Sequence, residues 1–259
     1  MTPSLLQREL AVQLDPVTFV ETYFDLHLDP WQKEVLKFRG SRLLLNCSRQ
    51  SGKTTVAGLA ALHRAVFKPG SLIIVVSASL RQASESYRVI NDFCRQITPQ
   101  LKRTEDSRLS FTLENRSRVI SVPATGAKIR GFAGVDLVLF DEAARIPDDV
   151  YFSIRPMVAV SQGSMYALST PAGKAGWFYE LAIDKKNDWK KKLIPATMCP
   201  RITAKFLREE ELAMGSRYYK AEYCCSFEEE ASDAFLMDYV EKAIQDNIFE
   251  LFPGEEDNG

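Results

Sequence analysis

The chain lacks any hydrophobic run long enough to cross a membrane, although 46% of its 259 residues are hydrophobic. A membrane-spanning helix needs about 18 or more consecutive apolar residues. The first ten residues, MTPSLLQREL, also lack the basic start and the apolar centre of a secretory signal. These absences predict that the protein is neither inserted in a membrane nor secreted.

Residues that build metal sites and disulfides are scarce and scattered. The five cysteines are an odd number without CxxC spacing, and the two histidines, His27 and His63, lie far from them in the sequence. Zinc sites use closely spaced ligand pairs, and disulfide frameworks use an even number of cysteines. The pattern resembles neither and is typical of a reduced, cytosolic protein.

The net charge of −1 conceals an asymmetry along the chain. Residues 228–259 contain eleven acids and one base, a net charge of −10, whereas residues 1–227 have a net charge of +9. A basic body with an acidic tail is typical of proteins that meet nucleic acid. A solvated tail without a target gives the same pattern, so charge alone leaves both interpretations open.

Short apolar runs alternate with segments of helical periodicity. Strands are predicted over residues 42–46, 71–77, 137–140 and 164–168, helices over 53–67 and 80–94, and a hairpin over 109–113 and 118–122. Strands that are apolar throughout are buried on both faces, and their alternation with helices predicts an α/β fold. We expect a mostly parallel central sheet flanked by helices.

The pattern changes after about residue 195. Helices are predicted over residues 203–214, 216–223 and 237–247, with Gly215 between the first two. They suggest a small helical lid subdomain and not an extension of the sheet. The predicted organisation is a core over residues 1–200, a lid over 201–250 and a disordered acidic tail over 251–259.

Residues 47–54, CSRQSGKT, follow a predicted strand and open a predicted helix. They match the phosphate-binding pattern G-x-x-x-x-G-K-[ST] except that Cys47 replaces the first glycine. In such a loop the backbone N–H groups hold phosphates, here those of residues 51–54. Lys53 would reach the β- and γ-phosphates of ATP, and the Thr54 hydroxyl would bind Mg²⁺. The nucleotide-binding residues predicted here are Ser48, Arg49, Gln50, Ser51, Gly52, Lys53 and Thr54.

A second motif, LVLFDE over residues 137–142, ends a buried strand with two acids. Acids at the carboxyl end of such a strand face the ligand crevice of an open α/β sheet. Asp141 would hold Mg²⁺ through water, and Glu142 would orient and polarise the attacking water. Another strand, over residues 72–77, lies between the two motifs in the chain. This order favours a P-loop NTPase of the additional-strand, catalytic-glutamate type.

Three weaker signals lie around these motifs. Gln32, in DPWQ, lies about twenty residues before the loop and could read adenine. Arg49 is an unusual extra cation within the loop. Ser169 and Thr170 end the strand that follows the acidic motif, where hydroxyl groups could sense the γ-phosphate.

The segments PWQ, SRQSGKT, LVLFDEAARI and LSTP, in this order, resemble the ATPase domain of the large terminase subunit, the DNA-packaging motor of tailed bacteriophages. The resemblance extends over about residues 20–235. It implies that Gln32 contacts adenine, that Glu142 is the catalytic carboxylate and that Ser169 and Thr170 couple hydrolysis to movement. It leaves two candidates for the arginine finger: Arg130 acting on a neighbouring subunit, or Arg49 acting within its own.

The resemblance also implies cofactors and partners. These are ATP, Mg²⁺, double-stranded DNA, the portal protein and the small terminase subunit, with assembly in the host cytoplasm. The working form would be a homo-oligomeric ring, and the isolated domain could be a monomer.

Large terminases usually continue into a nuclease domain, for which residues 1–259 leave no room, so nuclease activity is not expected. Basic residues that could grip DNA phosphates are Lys102, Arg103, Arg116, Arg118, Lys185, Lys186, Lys190, Lys191 and Lys192.

Two alternative functions remain at this point. A helicase-type translocase would need a second RecA-like domain, which 259 residues do not comfortably hold. A nucleotide-gated switch would bind ATP without hydrolysing it. Glu142 beside Asp141 argues against a switch, because a switch has no need of a placed base.

Overall fold

The computed structural model of the chain describes residues 5–97, 101–125, 129 and 131–229. The predicted helix over residues 237–247 and the predicted tail over 251–259 lie outside these residues. The α-helices are α1 (Leu5–Leu14), α2 (Pro16–Tyr23), α3 (Pro30–Leu36), α4 (Lys53–Phe67), α5 (Leu80–Gln96), α6 (Asp148–Ile154), α7 (Gly176–Ile183) and α8 (Ala204–Cys224). Short 3-10 helices cover Ala143–Arg145, Arg155–Val158 and Ala196–Met198.

The described strands form one sheet of eight strands in the order β3-β4-β5-β2-β6-β7-β1-β8. Their bounds are β1 (Arg42–Cys47), β2 (Leu72–Ser77), β3 (Arg103–Asp106), β4 (Ser110–Leu113), β5 (Arg118–Pro123), β6 (Leu137–Asp141), β7 (Ser164–Ser169) and β8 (Lys190–Ile194). The neighbouring strands β5, β2, β6, β7, β1 and β8 pair in parallel. Strands β3 and β4 add antiparallel pairs at the β5 side of the sheet. The expected mostly parallel α/β sheet is therefore confirmed.

Two hydrophobic cores lie on opposite faces of this sheet because successive strand residues point to opposite sides. In β1, Leu43 and Leu45 belong to one core and Leu44 to the other. The first core packs the sheet against α4 and α5, and the second packs it against α6 and α7. In the second core the rings of Tyr151 and Trp177 stack with their centroids 4.1 Å apart. Trp177 is thus a packing residue of this core.

Most element bounds agree with the sequence patterns. Helix α4 covers the predicted residues 53–67, and the hairpin forms with β4 and β5. Helix α8 is interrupted at Gly215, whose φ of 77° and ψ of 158° are not helical. Strands β3 and β8 were not predicted: β3 is polar, and β8 is rich in lysine. Both are edge strands of the described sheet. An edge strand has a neighbouring strand on one side only, so its sequence does not need to be apolar throughout.

The carboxyl ends of β1, β6 and β7 meet at one edge of the sheet because these strands are parallel neighbours. Strand β7 lies between β6 and β1, so β7 is the additional strand that separates the loop strand from the acidic strand. Strand β2, which lies between the two motifs in the chain, pairs on the far side of β6. Within the described residues, no helix is long and apolar enough to cross a membrane.

Candidate functional site at the carboxyl edge of the sheet

The phosphate loop begins where β1 ends and finishes where α4 begins. Cys47 is the last residue of β1 and is fully buried, and this burial raises the pKa of its thiol. As a strand residue it does not need the conformational freedom of glycine. Gly52 does: its φ is +92°, and a Cβ there would lie 2.8 Å from Nε2 of Gln32. The motif therefore tolerates cysteine at its first position but requires glycine at Gly52.

Hydrogen bonds attach this loop, and Asn46 just before it, to β8 and to the end of α8. The backbone N–H of Ser48 donates to the carbonyl of Ile194 at 2.9 Å, and that of Arg49 donates to the carbonyl of Glu222 at 2.7 Å. The buried side chain of Asn46 donates through Nδ2 to the carbonyl of Cys225 at 2.9 Å. The loop is therefore supported by β8 and by the end of α8.

Lys53 and Glu142 bring the two motifs together. Nζ of Lys53 lies 3.0 Å from Oε1 of Glu142, and the two side chains are only 10% and 22% exposed. Burial alone would lower the pKa of Lys53, but the Glu142 and Asp141 carboxylates outweigh burial and raise it. Lys53 is therefore a protonated cation aimed at the acidic motif.

Asp141 is the most enclosed carboxylate of the site. Its Oδ2 accepts a hydrogen bond from Oγ of Ser86 at 2.7 Å, and Oγ1 of Thr54 lies 3.3 Å and 3.2 Å from its two oxygens. Burial raises its pKa, while Ser86, Lys53 and Thr54 act in the opposite direction. A buried carboxylate beside a hydroxyl group is a set of hard oxygen donors that suits Mg²⁺. Thr54 and Asp141 thus fit the magnesium site expected from the sequence.

Glu142 has a left-handed backbone, with φ 56° and ψ 46°, which is uncommon for a residue other than glycine. It caps the 3-10 helix Ala143–Arg145, from which Arg145 reaches back: NH1 of Arg145 lies 3.1 Å from Oε2 of Glu142. The same NH1 lies 3.1 Å from Oγ1 of Thr170. Oγ of Ser169 accepts from the backbone N–H of Ala144 at 3.1 Å. The proposed coupling residues are therefore bonded to the turn that carries Glu142.

Gln32 lies beside the phosphate loop. It is buried at the start of α3, and its Oε1 accepts from the backbone N–H of Asp29 at 2.9 Å. Its Nε2 faces Gly52. Arg201 completes this corner, with NH1 2.8 Å from Oδ1 of Asp29 and NH2 3.0 Å from the carbonyl of Ser51. The segment before α8, the start of α3 and the loop are thus joined through Arg201.

The arginine-finger candidates and the candidate DNA contacts differ in whether the structure describes them and in how exposed they are. Arg130 lies outside the described residues. Arg49 and Gln50 are exposed in the loop, and Ser48 and Ser51 are buried in it. Among the candidate DNA contacts, Arg103 bonds to Asp106 at 2.9 Å and covers the ring of Phe111, whereas Lys192 pairs with Glu34.

Residues 44–238 match the family described as terminase large subunit, T4-like virus type, N-terminal. The chain belongs to the large terminase family. The large terminase subunit of Thermus phage G20c is 29% identical over 154 residues, which are 51% of this chain and 31% of that relative. The terminase chain thus spans about a third of the curated relatives that it matches.

Solved terminase structures share the fold. The large terminase ATPase domain of Thermus phage P74-26 is 22% identical, with a TM-score of 0.69 over 81% of this chain and 97% of that one. The large terminase of bacteriophage HK97 is 17% identical, with a TM-score of 0.63 over 89% of this chain and 52% of that one. A large terminase from a thermophilic bacteriophage, solved in complex with ADP, is 10% identical, with a TM-score of 0.61 over 83% of this chain and 52% of that one. At these identities, the likeness establishes a P-loop ATPase-domain fold.

Sequence reasoning missed three residues of this terminase site: Ser86, Arg145 and Arg201. A signal existed for Ser86, a polar residue on the apolar face of α5, three residues after Ala83. A signal also existed for Arg145, three residues after Glu142 on the same turn. Arg201 had none, because its partner Asp29 is far away in the sequence.

Proposed function

We propose that this chain is the ATPase motor domain of a viral large terminase, which hydrolyses ATP with Mg²⁺ to drive double-stranded DNA into a procapsid. The observation that carries the proposal is the meeting of the two motifs. Lys53 and Glu142 are 3.0 Å apart, and Thr54 and Asp141 are 3.2 Å apart, at the end of the sheet where α/β proteins bind nucleotides. A switch without hydrolysis has no need of a carboxylate in the position of Glu142.

Each residue would have a distinct role. The first N–H groups of α4 lack partners within the helix and would bind phosphate oxygens, and Lys53 would bind the β- and γ-phosphates. Thr54 and Asp141 would hold Mg²⁺, which neutralises phosphate charge when bound. Glu142 would accept a hydrogen bond from the attacking water and so orient it towards the γ-phosphate. Gln32 would offer its Nε2 to adenine, because its Oε1 already bonds to Asp29.

Movement of DNA would follow from coupling at β7. Ser169 and Thr170, both buried, would sense the γ-phosphate and pass its loss to the rest of the domain. The organisation proposed for this function is a core over residues 1–200, a lid over 201–250 and an acidic tail over 251–259. Family membership and the basic charge of residues 1–227 support DNA as the partner. The portal protein, the small terminase subunit and a homo-oligomeric ring in the host cytoplasm complete the proposal.

The test is the rate of phosphate release from Mg-ATP by the purified chain and by Glu142→Gln. We expect turnover by the unaltered chain and a loss of at least about 100-fold in the variant, because general-base catalysis contributes this much. Binding of ATPγS should persist in both. Equal rates in the two proteins would overturn the role of Glu142. ATP binding without turnover in either would favour the switch.

The same ATPase assay, run at different protein concentrations, distinguishes the two candidates for the arginine finger. A rate per chain that rises with concentration means that a neighbour completes the site, and it supports Arg130. A measurable rate that stays constant means that each chain carries a whole site, and it supports Arg49. A finger contributes about three to five orders of magnitude in rate, so Arg130→Ala and Arg49→Ala separate the two clearly.

A further inference from the structure

Arg145 is a functional candidate that no sequence motif assigned. It is the last residue of the 3-10 helix Ala143–Arg145, one turn after Glu142. One nitrogen of its guanidinium, NH1, lies 3.1 Å from Oε2 of Glu142 and 3.1 Å from Oγ1 of Thr170. The acid at the end of β6 and the hydroxyl group after β7 are therefore joined through a single atom.

This junction lies in partly desolvated surroundings. Thr170 is only 3% exposed and the Glu142 side chain is 22% exposed, whereas the Arg145 side chain is 42% exposed. A second bond, from the backbone N–H of Ala144 to Oγ of Ser169, joins the same two segments. A hydrogen bond from a charged donor is stronger where its acceptor is shielded from water, as Thr170 is here and Glu142 is in part. Displacement of Thr170 would therefore move the guanidinium, and with it the carboxylate.

Glu142 divides its two oxygens between two cations. Oε1 faces Lys53 at 3.0 Å, and Oε2 faces Arg145 at 3.1 Å. In the proposed function, phosphate draws Lys53 away from Glu142. Arg145 is then the cation, among the described residues, that still bonds to this carboxylate. The orientation of the Glu142 side chain then depends on its bond to Arg145.

We propose that Arg145 is a positioning residue that aims Glu142 at the attacking water and transmits movement of Thr170 to it. The inference rests on the proposed ATPase function and adds the physical link between its catalytic acid and its coupling residues. Arg145 itself touches neither phosphate nor water in this proposal. Its contribution would appear in the rate of turnover and not in nucleotide binding.

The experiment measures kcat and KM for Mg-ATP, together with ATPγS affinity, in Arg145→Ala, Arg145→Lys and Arg155→Ala. Arg155 is an exposed arginine after α6 and serves as the matched control. We expect kcat to fall roughly 10- to 100-fold in Arg145→Ala while KM and ATPγS affinity stay within about twofold, since the lost contact orients the base. Arg145→Lys should recover part of the rate, because an ammonium group can still meet Glu142. The control should retain the full rate.

A double-mutant comparison tests transmission through Thr170. If Arg145 acts through this residue, Thr170→Val lowers kcat, and adding Arg145→Ala lowers it little further. The inference would be overturned if the losses in kcat of the two single variants multiplied in the double variant. It would also be overturned if the kcat of Arg145→Ala were unchanged or higher. If unaltered chain and Glu142→Gln differ as expected while Arg145→Ala is fully active, this inference alone fails. A chain that never hydrolyses ATP overturns the proposed function together with it.

Discussion

Lys53 of the phosphate loop and Glu142 of the acidic motif form an ion pair, with Nζ 3.0 Å from Oε1. Each side chain satisfies the other's charge in a region from which water is largely excluded. A phosphate that binds Lys53 must compete with this carboxylate. In the proposed function the pair would hold Lys53 in place before nucleotide arrives and would oppose nucleotide binding to a modest extent.

Glu142→Gln should bind nucleotide more tightly than the unaltered chain. The substitution removes the competing charge and a negative group near the phosphates, and we expect roughly fivefold tighter binding, equivalent to about 1 kcal/mol. Isothermal titration with ATPγS measures the change. Glu180→Gln, an exposed change of the same charge, is the control. Equal or weaker affinity in Glu142→Gln would mean that the ion pair does not compete with phosphate.

Ser86→Ala should raise the Mg²⁺ requirement of ATP hydrolysis. Its Oγ lies 2.7 Å from Oδ2 of Asp141 and fixes the orientation of that carboxylate. Loss of such a supporting bond typically weakens metal affinity by about 10-fold or more. A magnesium titration of the hydrolysis rate gives the half-saturation value. Ser84→Ala, on the same helix with Oγ bonded to the carbonyl of Leu80, should leave this value unchanged. A shift in both variants would argue for a general effect on α5.

Arg201→Met should destabilise the fold through Asp29. That carboxylate is 7% exposed and would lose its cation, whereas half of the Arg201 side chain is exposed. We expect the free energy of unfolding to fall by about 1–2 kcal/mol, as measured in urea. Adding Asp29→Asn should restore part of the loss, because the unpaired charge disappears. Arg208→Met, an exposed arginine on α8, should change little. Two additive losses would show that the pair is not coupled.

His63 should make stability depend on pH. Burial lowers its pKa, and the nearby Arg39 and Arg64 act in the same direction. The folded chain thus takes up a proton less readily than the unfolded chain, whose histidine titrates at about 6.5. Stability should fall as pH drops below that value.

The measurement compares melting temperatures between pH 5 and 7.5 in the unaltered chain and in His63→Gln. The variant should lose less stability on acidification, and carboxylates common to both proteins cancel in the difference. His27→Gln, which changes the exposed histidine, should follow the unaltered chain. Curves for His63→Gln that run parallel to the unaltered chain would contradict the prediction.

The central strands were predictable because their burial on both faces leaves a continuous apolar run. Strands β2 and β6 consist of such runs, and their predicted bounds differ from the observed ones by one residue. Strand β8, KKKLI, carries the opposite signal because, among the described strands, it pairs only with β1. Its place in the sheet comes from pairing with β1, which periodicity does not report.

The candidate site shows the same contrast between local sequence patterns and contacts that form only in the folded chain. Lys53, Thr54, Asp141 and Glu142 belong to local motifs, so their types and spacing could be recognised in the sequence. Arg201 bonds to a residue 172 positions away, and this contact exists only after the chain has folded. Arg130 lies outside the described residues, so its role stays a prediction. The sequence motifs thus contain the groups proposed for the chemistry, whereas the residues that bond to those groups lie outside the motifs.

The attachment of the phosphate loop to the end of α8 limits how the domain can be shortened. Asn46 and Arg49 bond to the carbonyls of Cys225 and Glu222, although those partners lie far beyond the strands of the sheet. A fragment that stopped after β8 would contain every residue of both sequence motifs. It would still leave a buried amide of Asn46 without its acceptor. We therefore expect the loop to keep its observed support only in pieces of this chain that extend past Cys225.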